Sequence, residues 1–218
     1  MVKKALACAV AGIWASSSMA AVSLQTVSFG LTSLSGAAVF DFEGSNTLPA
    51  GFTSSQTGNV GLYTGSHSTV AAAPMDDTSQ YLAVANGSYA LQSTTGYSNL
   101  SFYWGSIDAG NTVDLLDANG NTFFSWNGNN ALMSSDANGN WFSSADNRTV
   151  LLTSDQSIFG VRFSFAGTAF EIDNLVFDAT VGQSAVPEPA TWAMMVGGFG
   201  LIGFAMRANR RSPRASFA

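Results

Sequence analysis

The strings SIFGVRFSF, residues 157–165, and AFEIDNLVF, residues 169–177, decide the fold class of this chain. Phe159, Val161, Phe163 and Phe165 stand at every second position of the first, and Phe170 and Ile172 begin the second in the same way. That is the two-residue period of a half-buried β-strand, not the 3.6-residue period of a helix. Ala166-Gly167 between them reads as a turn. A two-residue loop there sets Phe163 against Phe170 and Val161 against Ile172; a four-residue loop sets Phe165 against Phe170 and Phe163 against Ile172. Either register keeps the apolar face whole and places Arg162 opposite Glu171 or Asp173. The arginine is therefore expected in a cross-strand ion pair rather than as a ligand clamp.

Outward from this pair, helix periodicity is hard to find anywhere between residues 22 and 179. Short β-prone runs recur at 22–29, 37–42, 59–64, 80–85, 88–93, 98–104, 111–117, 121–126 and 148–153, with Gly, Asn, Asp and Ser between them. With the two opening strings they amount to about ten strands. Their spacing predicts an all-β body, residues 21–182, built as a jelly-roll-like β-sandwich. Asn119-Gly120 has the composition of a type I′ hairpin turn, which would pair Leu115 with Phe124, Val113 with Trp126, and Leu116 with Phe123 on the other face.

The 218 residues carry a formal net charge of −6, with one Cys and one His. Charge is unevenly placed. Between residues 21 and 186 stand thirteen Asp and Glu against only Arg148 and Arg162, and no Lys. A body at −11 has no basic surface to neutralise phosphates, so nucleic acid is excluded as a partner.

Both ends read as addresses. Residues 1–20 have the form of a secretory signal peptide: Lys3 and Lys4, an apolar run from Ala5 to Trp14, and Ser18-Met19-Ala20 before a cleavage by signal peptidase. Cys8 leaves with that segment, so the mature protein is expected to contain neither disulfide nor thiol chemistry. Near the other end, residues 183–189 form a linker that closes on Pro187-Glu188-Pro189. Residues 190–206, ATWAMMVGGFGLIGFAM, are uncharged. As a helix they would span roughly 25 Å, within the range of a single membrane pass. Residues 207–218 begin with Arg207 and carry Arg210 and Arg211, which the positive-inside rule holds in the cytoplasm, with Trp192 near the opposite interface. Prolines at 187 and 189 keep the preceding segment extended and outside any central strand, a form that a protease cleft accepts.

VPEPATWAMMVGGFGLIGFAMRANRR closely resembles the PEP-CTERM sorting tail of exported Gram-negative proteins, a tail that also carries the label of an ice-binding-protein C-terminal domain. The resemblance implies recognition by exosortase, a membrane cysteine protease that removes the tail and passes the body from the inner membrane to the cell surface or the exopolysaccharide matrix. Pro187, Glu188, Pro189, Trp192, Arg207, Arg210 and Arg211 are the positions that carry it. LSFYWGSID (100–108), with NTV (111–113) and FEIDNL (170–175), looks like the jelly-roll bodies of exosortase-dependent surface proteins.

For the body itself the residues offer limited chemistry. It has a single His, His67, and neither a Gly-x-Ser-x-Gly nor a His-Glu-x-x-His string, so a non-enzymatic role is expected. A glycosidase pair would have to come from Glu43, Asp108, Glu171 and Asp173. The string DANGN occurs at 117–121 and again at 136–140, but with Gly fourth and with Gly128 and Asn147 at the twelfth positions these are not EF-hands, and they read as Asn-Gly turns. Asp41, Glu43 and Asp173 are the expected ligands of a structural calcium ion, on ligand type, and no other cofactor is expected. Leu100, Phe102 and Trp104 fall on one strand face as core. That leaves Tyr103, Trp141 and Phe142 as the aromatic platform for a sugar, with exopolysaccharide as the partner.

Overall fold

A computed structural model of the chain describes residues 21–29, 36–44, 47–132 and 137–178, together with Phe199 and Arg207. The signal segment, the PEP motif and nearly all of the apolar tail lie outside the described residues. Among those described, no helix is long and apolar enough to cross a membrane. The chain divides into two compact units, Met1–Thr180 and Val181–Ala218.

The all-β expectation holds for the first unit. Its elements are β1 (Val22–Phe29), β2 (Ala38–Phe40), β3 (Phe52–Thr64), β4 (Gln80–Gly105), β5 (Thr112–Leu116), β6 (Thr122–Asn127), a five-residue helix α1 (Gly128–Leu132), β7 (Arg148–Phe165) and β8 (Phe170–Asp178). All eight strands belong to one hydrogen-bonded antiparallel sheet.

The spine of that sheet is a long ribbon of β4 against β7, paired from Gly87↔Phe165 to Trp104↔Arg148. Around the first half of β4 the order is β3, β4, β7, β5, β6; around its second half it is β2, β8, β4, β7, β1. Register shifts at Gln92/Tyr97 and Tyr97/Asn99 bend the ribbon. Ile172 of β8 then pairs with both Leu82 and Trp104, near opposite ends of β4, which requires the ribbon to fold over on itself. Ring contacts confirm that the halves face each other. Phe102 meets Phe163 edge-on at 5.0 Å, Trp104 stacks on Phe170 at 5.1 Å, and Phe52 lies 5.1 Å from Phe177. Each such pair adds about 0.5–1.5 kcal/mol to the burial of its rings, and all six residues belong to one buried cluster.

Three expectations of pairing are corrected. Residues 80–85, 88–93 and 98–104 are one strand, because Asn86-Gly87 forms a bulge opposite Gly58 and not a turn. A Cβ on Gly87 would lie 2.0 Å from the Thr57 carbonyl oxygen, so only glycine permits the two backbones to close there. Residues 157–165 and 169–177 do not form a hairpin. Phe165 pairs with Gly87 and Phe170 with Val84, so β7 and β8 run end to end along the same side of β4, and Ala166–Ala169, whose Thr168-Ala169 peptide is cis, bulges between them. The Gly167 carbonyl accepts from Asn86 N at 3.0 Å across that bulge. Arg162 accordingly pairs across β5, not β8. Its NH2 group lies 2.6 Å from Asp114 Oδ2, with a further bond to Thr122 Oγ1 at 2.8 Å.

In the β5/β6 hairpin Val113↔Trp126 and Leu115↔Phe124 are as expected, while Leu116 pairs with Thr122 and not Phe123. The turn is the reason. Gly120 has φ +79° but Asn119 is not left-handed, and Gly120 N bonds the Asp117 carbonyl at 3.0 Å, so a type I turn on Ala118-Asn119 closes a three-residue loop. That loop shifts the register by one residue, and a bulge at Phe123 shifts it back.

Candidate functional site

One end of the folded-over sheet carries an open groove of about 630 Å³. Its walls include His67 and Thr69 from the β3–β4 connection, Ser106 and Asp108 beyond the end of β4, Asn138, Gly139 and Trp141 before β7, and Glu171 of β8. The loop after β4 is fixed by backbone bonds to a distant segment: Ala109 N to the Ala137 carbonyl and Gly139 N to the Ile107 carbonyl, both 3.0 Å, with Asp108 bridged to Asn138.

Asn147, wholly buried, holds the aromatic rim in place. Its Oδ1 accepts from Met75 N and Ser106 N at 3.0 Å each, and its Nδ2 donates to the carbonyls of Asn140, Trp141 and Ser143. Its amide hydrogens and carbonyl oxygen are all engaged in tying down the 140–147 loop, in which Trp141 is 39% and Phe142 70% exposed. Their ring centroids are 3.8 Å apart. Trp141 lines the groove.

Tyr103, the third expected platform residue, is fully buried, and its hydroxyl donates to the Met75 carbonyl. Alternation does turn it away from Leu100, Phe102 and Trp104. That second face of β4 is nevertheless covered, because the 71–79 segment packs over it with Pro74 against Gly105. Of the three expected platform residues, Trp141 and Phe142 are exposed and Tyr103 is not.

Glu171 is 1% exposed at the base of the groove. Ala72 N donates to its Oε1 at 3.1 Å and the Ser106 hydroxyl bonds Oε2. Burial pushes its carboxyl up to about 8, against the pull of those bonds, so Glu171 is largely protonated at neutral pH. Of the four carboxylates considered for glycoside chemistry, Asp108 and Glu171 share this groove; Glu43 and Asp173 do not line it. His67 lies on the rim with Nε2 3.2 Å from the Thr64 carbonyl, the arrangement of a loop-closing residue.

A second acidic cluster sits around Asp173. Asp173 and Asp77 are buried, and Ser79 lies between them. Ser79 N donates to Asp77 Oδ1 at 2.8 Å, and the Ser79 hydroxyl contacts both Asp77 Oδ1 and Asp173 Oδ2, the latter at 3.1 Å. Burial raises the Asp173 carboxyl to about 7, with the charges of Asp77 and Glu43 pushing the same way. Asp77 Oδ2 and Asp173 Oδ1 are buried without a hydrogen-bond partner. The expected calcium triad is not assembled as such: Asp41 and Glu43 are exposed, Asp41 Oδ1 accepts from Glu43 N, and Glu43 Oε1 accepts from Gln80 N. Among the described residues no group of three or more His, Cys, Asp or Glu is arranged to hold a metal ion. Asp77 escaped the sequence reading because Pro-Met-Asp-Asp has the composition of a solvated turn; nothing local marks it as buried.

Similarity to known proteins bears on the tail and leaves the body open. The PEP-CTERM protein-sorting motif matches residues 185–211, so the chain carries the signal for exosortase-dependent sorting of an exported protein. No curated protein matches the chain. The enzymatically active domain of tailspike protein 4 of bacteriophage CBA120 aligns with 59% of this chain and 19% of its own, at 14% identity and a TM-score of 0.29, too distant to inform fold or activity.

Proposed function

We propose that this is a non-enzymatic surface or matrix protein that exosortase releases from its tail and that then associates with the cell's own exopolysaccharide through the Trp141 groove. In this reading signal peptidase removes residues 1–20, residues 190–206 hold the precursor in the inner membrane, and Arg207, Arg210 and Arg211 keep its end cytoplasmic. Cleavage near Pro187-Glu188-Pro189 frees a body that ends at the cell surface or in the extracellular matrix of a Gram-negative bacterium. We read the folded-over sheet as a jelly-roll-like β-sandwich.

The observation that carries the sorting half is the motif match at 185–211. For the ligand half it is the pairing of an exposed tryptophan with Asp108, Asn138 and Ser106 along one open groove. An indole face covers the apolar face of a sugar ring while carboxylate and amide groups bond its hydroxyls, and the body's −11 charge favours a polymer that is neutral or bridged by cations.

Replacing Pro187, Glu188 and Pro189 with alanine in an exosortase-bearing host should leave the tail attached, as read by mass spectrometry of the intact protein. Unchanged processing would remove the sorting reading. Incubation with purified exopolysaccharide should give binding without release of reducing ends. Reducing-end release lost in both D108N and E171Q would replace the binding reading with a hydrolase that uses the protonated Glu171 as acid.

A further inference from the structure

The Asp77/Asp173 cluster has no cation acting on Asp173 and too few hydrogen donors for its four carboxylate oxygens. Ser79 has one hydroxyl hydrogen, yet its Oγ contacts a carboxylate on either side. The Ser79 amide serves Asp77 Oδ1, the hydroxyl hydrogen serves one carboxylate at a time, and the Asn174 backbone also bonds Asp173. The other oxygens of both acids, Asp77 Oδ2 and Asp173 Oδ1, are buried and have no hydrogen-bond partner. The charges that bear on Asp173 are both negative. Of the body's two cationic side chains, Arg162 is bonded to Asp114, and Arg148 directs Nε to the Ala145 carbonyl at 2.6 Å. Two buried carboxylates with two idle oxygens are costly to the fold unless something compensates them.

We propose that Asp77 Oδ2 and Asp173 Oδ1 are the two anionic ligands of one calcium ion. The donors available are all hard oxygens, with neither imidazole nor thiolate, which selects calcium over zinc or copper. Two carboxylates neutralise a divalent charge, and the ion supplies what the Ser79 hydroxyl cannot. With no third acid in a ligating arrangement among the described residues, carbonyls and water complete the shell, so the affinity belongs to the roughly 10⁻⁴–10⁻³ M class of extracellular modules. Such a site fills only where calcium is abundant, outside the cell. It ties the 71–79 segment to β8, which makes the exported body tightest after export. This differs from the triad expected from sequence: Asp173 stays, Asp77 enters, and Asp41 has no part.

Calorimetric titration of the purified full-length chain in detergent with calcium chloride at pH 7.5, after chelation, tests this directly. The expected result is one equivalent bound in the range of about 10⁻⁴–10⁻³ M, with a thermal midpoint that rises with calcium and falls back in excess EDTA. D77N and D173N keep the shape of each acid and should each weaken binding at least about tenfold, while D41N binds as the parent does. Absence of binding by the parent chain at 10 mM calcium, on the order of ten times the weakest expected constant, would overturn the proposal even if neither variant folds. So would parent-like binding by both variants, or a D173N chain stabilised equally with and without calcium, which would show that the two acids share a proton instead.

Discussion

The two copies of Asp-Ala-Asn-Gly-Asn, nineteen residues apart, take different places in the fold. In the first, residues 117–121, the Asp117 carboxylate bonds inside the pentapeptide, while the Asp117 carbonyl also accepts from Gln92 Nε2 at 2.9 Å. Asp117 Oδ1 accepts from Asn119 N and Asn121 N at 2.8 and 2.9 Å, and Asp117 N reaches the Asn121 carbonyl at 2.9 Å. In the second, the described residues 137–140 bond outward, to Ala109, Ile107 and Asp146, and build the wall of the groove. Flanks explain the difference. Leu115 and Leu116 pair with Phe124 and Thr122 and bring the ends of the first copy together, whereas Trp141-Phe142, after the second copy, lies in no strand. A turn sequence closes a hairpin only when its neighbours pair; otherwise its amides are free to be recruited from elsewhere in the fold.

The sharpest way to separate the two regions is pH. Glu171, beside the second copy, has its carboxyl raised to about 8 from an ordinary 4.5. Between those values the folded state holds a proton that the unfolded chain releases, so stability is full below about pH 4.5 and is lost as pH rises through 8. Urea midpoints in EDTA should therefore fall from pH 5 to pH 8.5 by the equivalent of a few kcal/mol, since each tenfold difference in proton affinity between the folded and unfolded states is worth about 1.4 kcal/mol. Glu171→Gln should reduce that slope, leaving the part contributed by the raised Asp173 carboxyl. A slope unchanged in the glutamine variant would mean that the carboxyl at the groove base is not held away from water.

Next in size are the glycines at the fourth positions, both left-handed. Alanine at Gly120, φ +79° with its nearest neighbour at 3.7 Å, meets only backbone strain. It should cost about 1 kcal/mol, with saccharide binding intact. At Gly139 the same change also sets a Cβ 3.2 Å from Asp108 Oδ2. It should cost about 1–2 kcal/mol and weaken saccharide binding as well, because the groove wall must shift. Trp141→Ala should lower exopolysaccharide affinity by about tenfold, roughly 1.4 kcal/mol, with the thermal midpoint unchanged, since the ring is exposed. Equal binding by G120A, G139A and W141A would detach the second copy from any ligand role.

How far sequence could go follows from the same distinction. Alternation over 22–29 located β1 with its observed bounds, and the facing of Val113 and Leu115 against β6 was legible because two local shifts cancel. Side-by-side placement of β7 and β8 was not, because Ala-Gly serves a turn and a bulge equally well, and the choice is made by β4, roughly eighty residues earlier in the chain. The site divides in the same way. Trp141 and Phe142, expected from composition, are exposed, and Asp108 and Glu171, expected by type, line one groove. Tyr103 was misplaced because covering of the second sheet face comes from a loop with no strand signal, and Asn147 and Asp77 matter only through partners remote in the chain.

The smallest expected effect falls on the first copy. Backbone bonding, led by Asn121 N, draws the exposed Asp117 carboxyl below its ordinary value of 3.8, so the folded hairpin prefers the ionised form. The contribution is present above the ordinary carboxylate range and is lost as pH falls through the lowered value, opposite in sign to Glu171. Asp117→Asn should leave the fold and saccharide binding as they are and lower the thermal midpoint slightly at pH 6, with the gap closing as pH drops below about 4. Hydrogen exchange at the Asn119 and Asn121 amides is the finer measurement, since those two donors lose a charged acceptor in the variant. Faster exchange at both, with amides at 137–140 unaffected, would show that the two identical strings are energetically independent; coupled changes would place them in one cooperative unit.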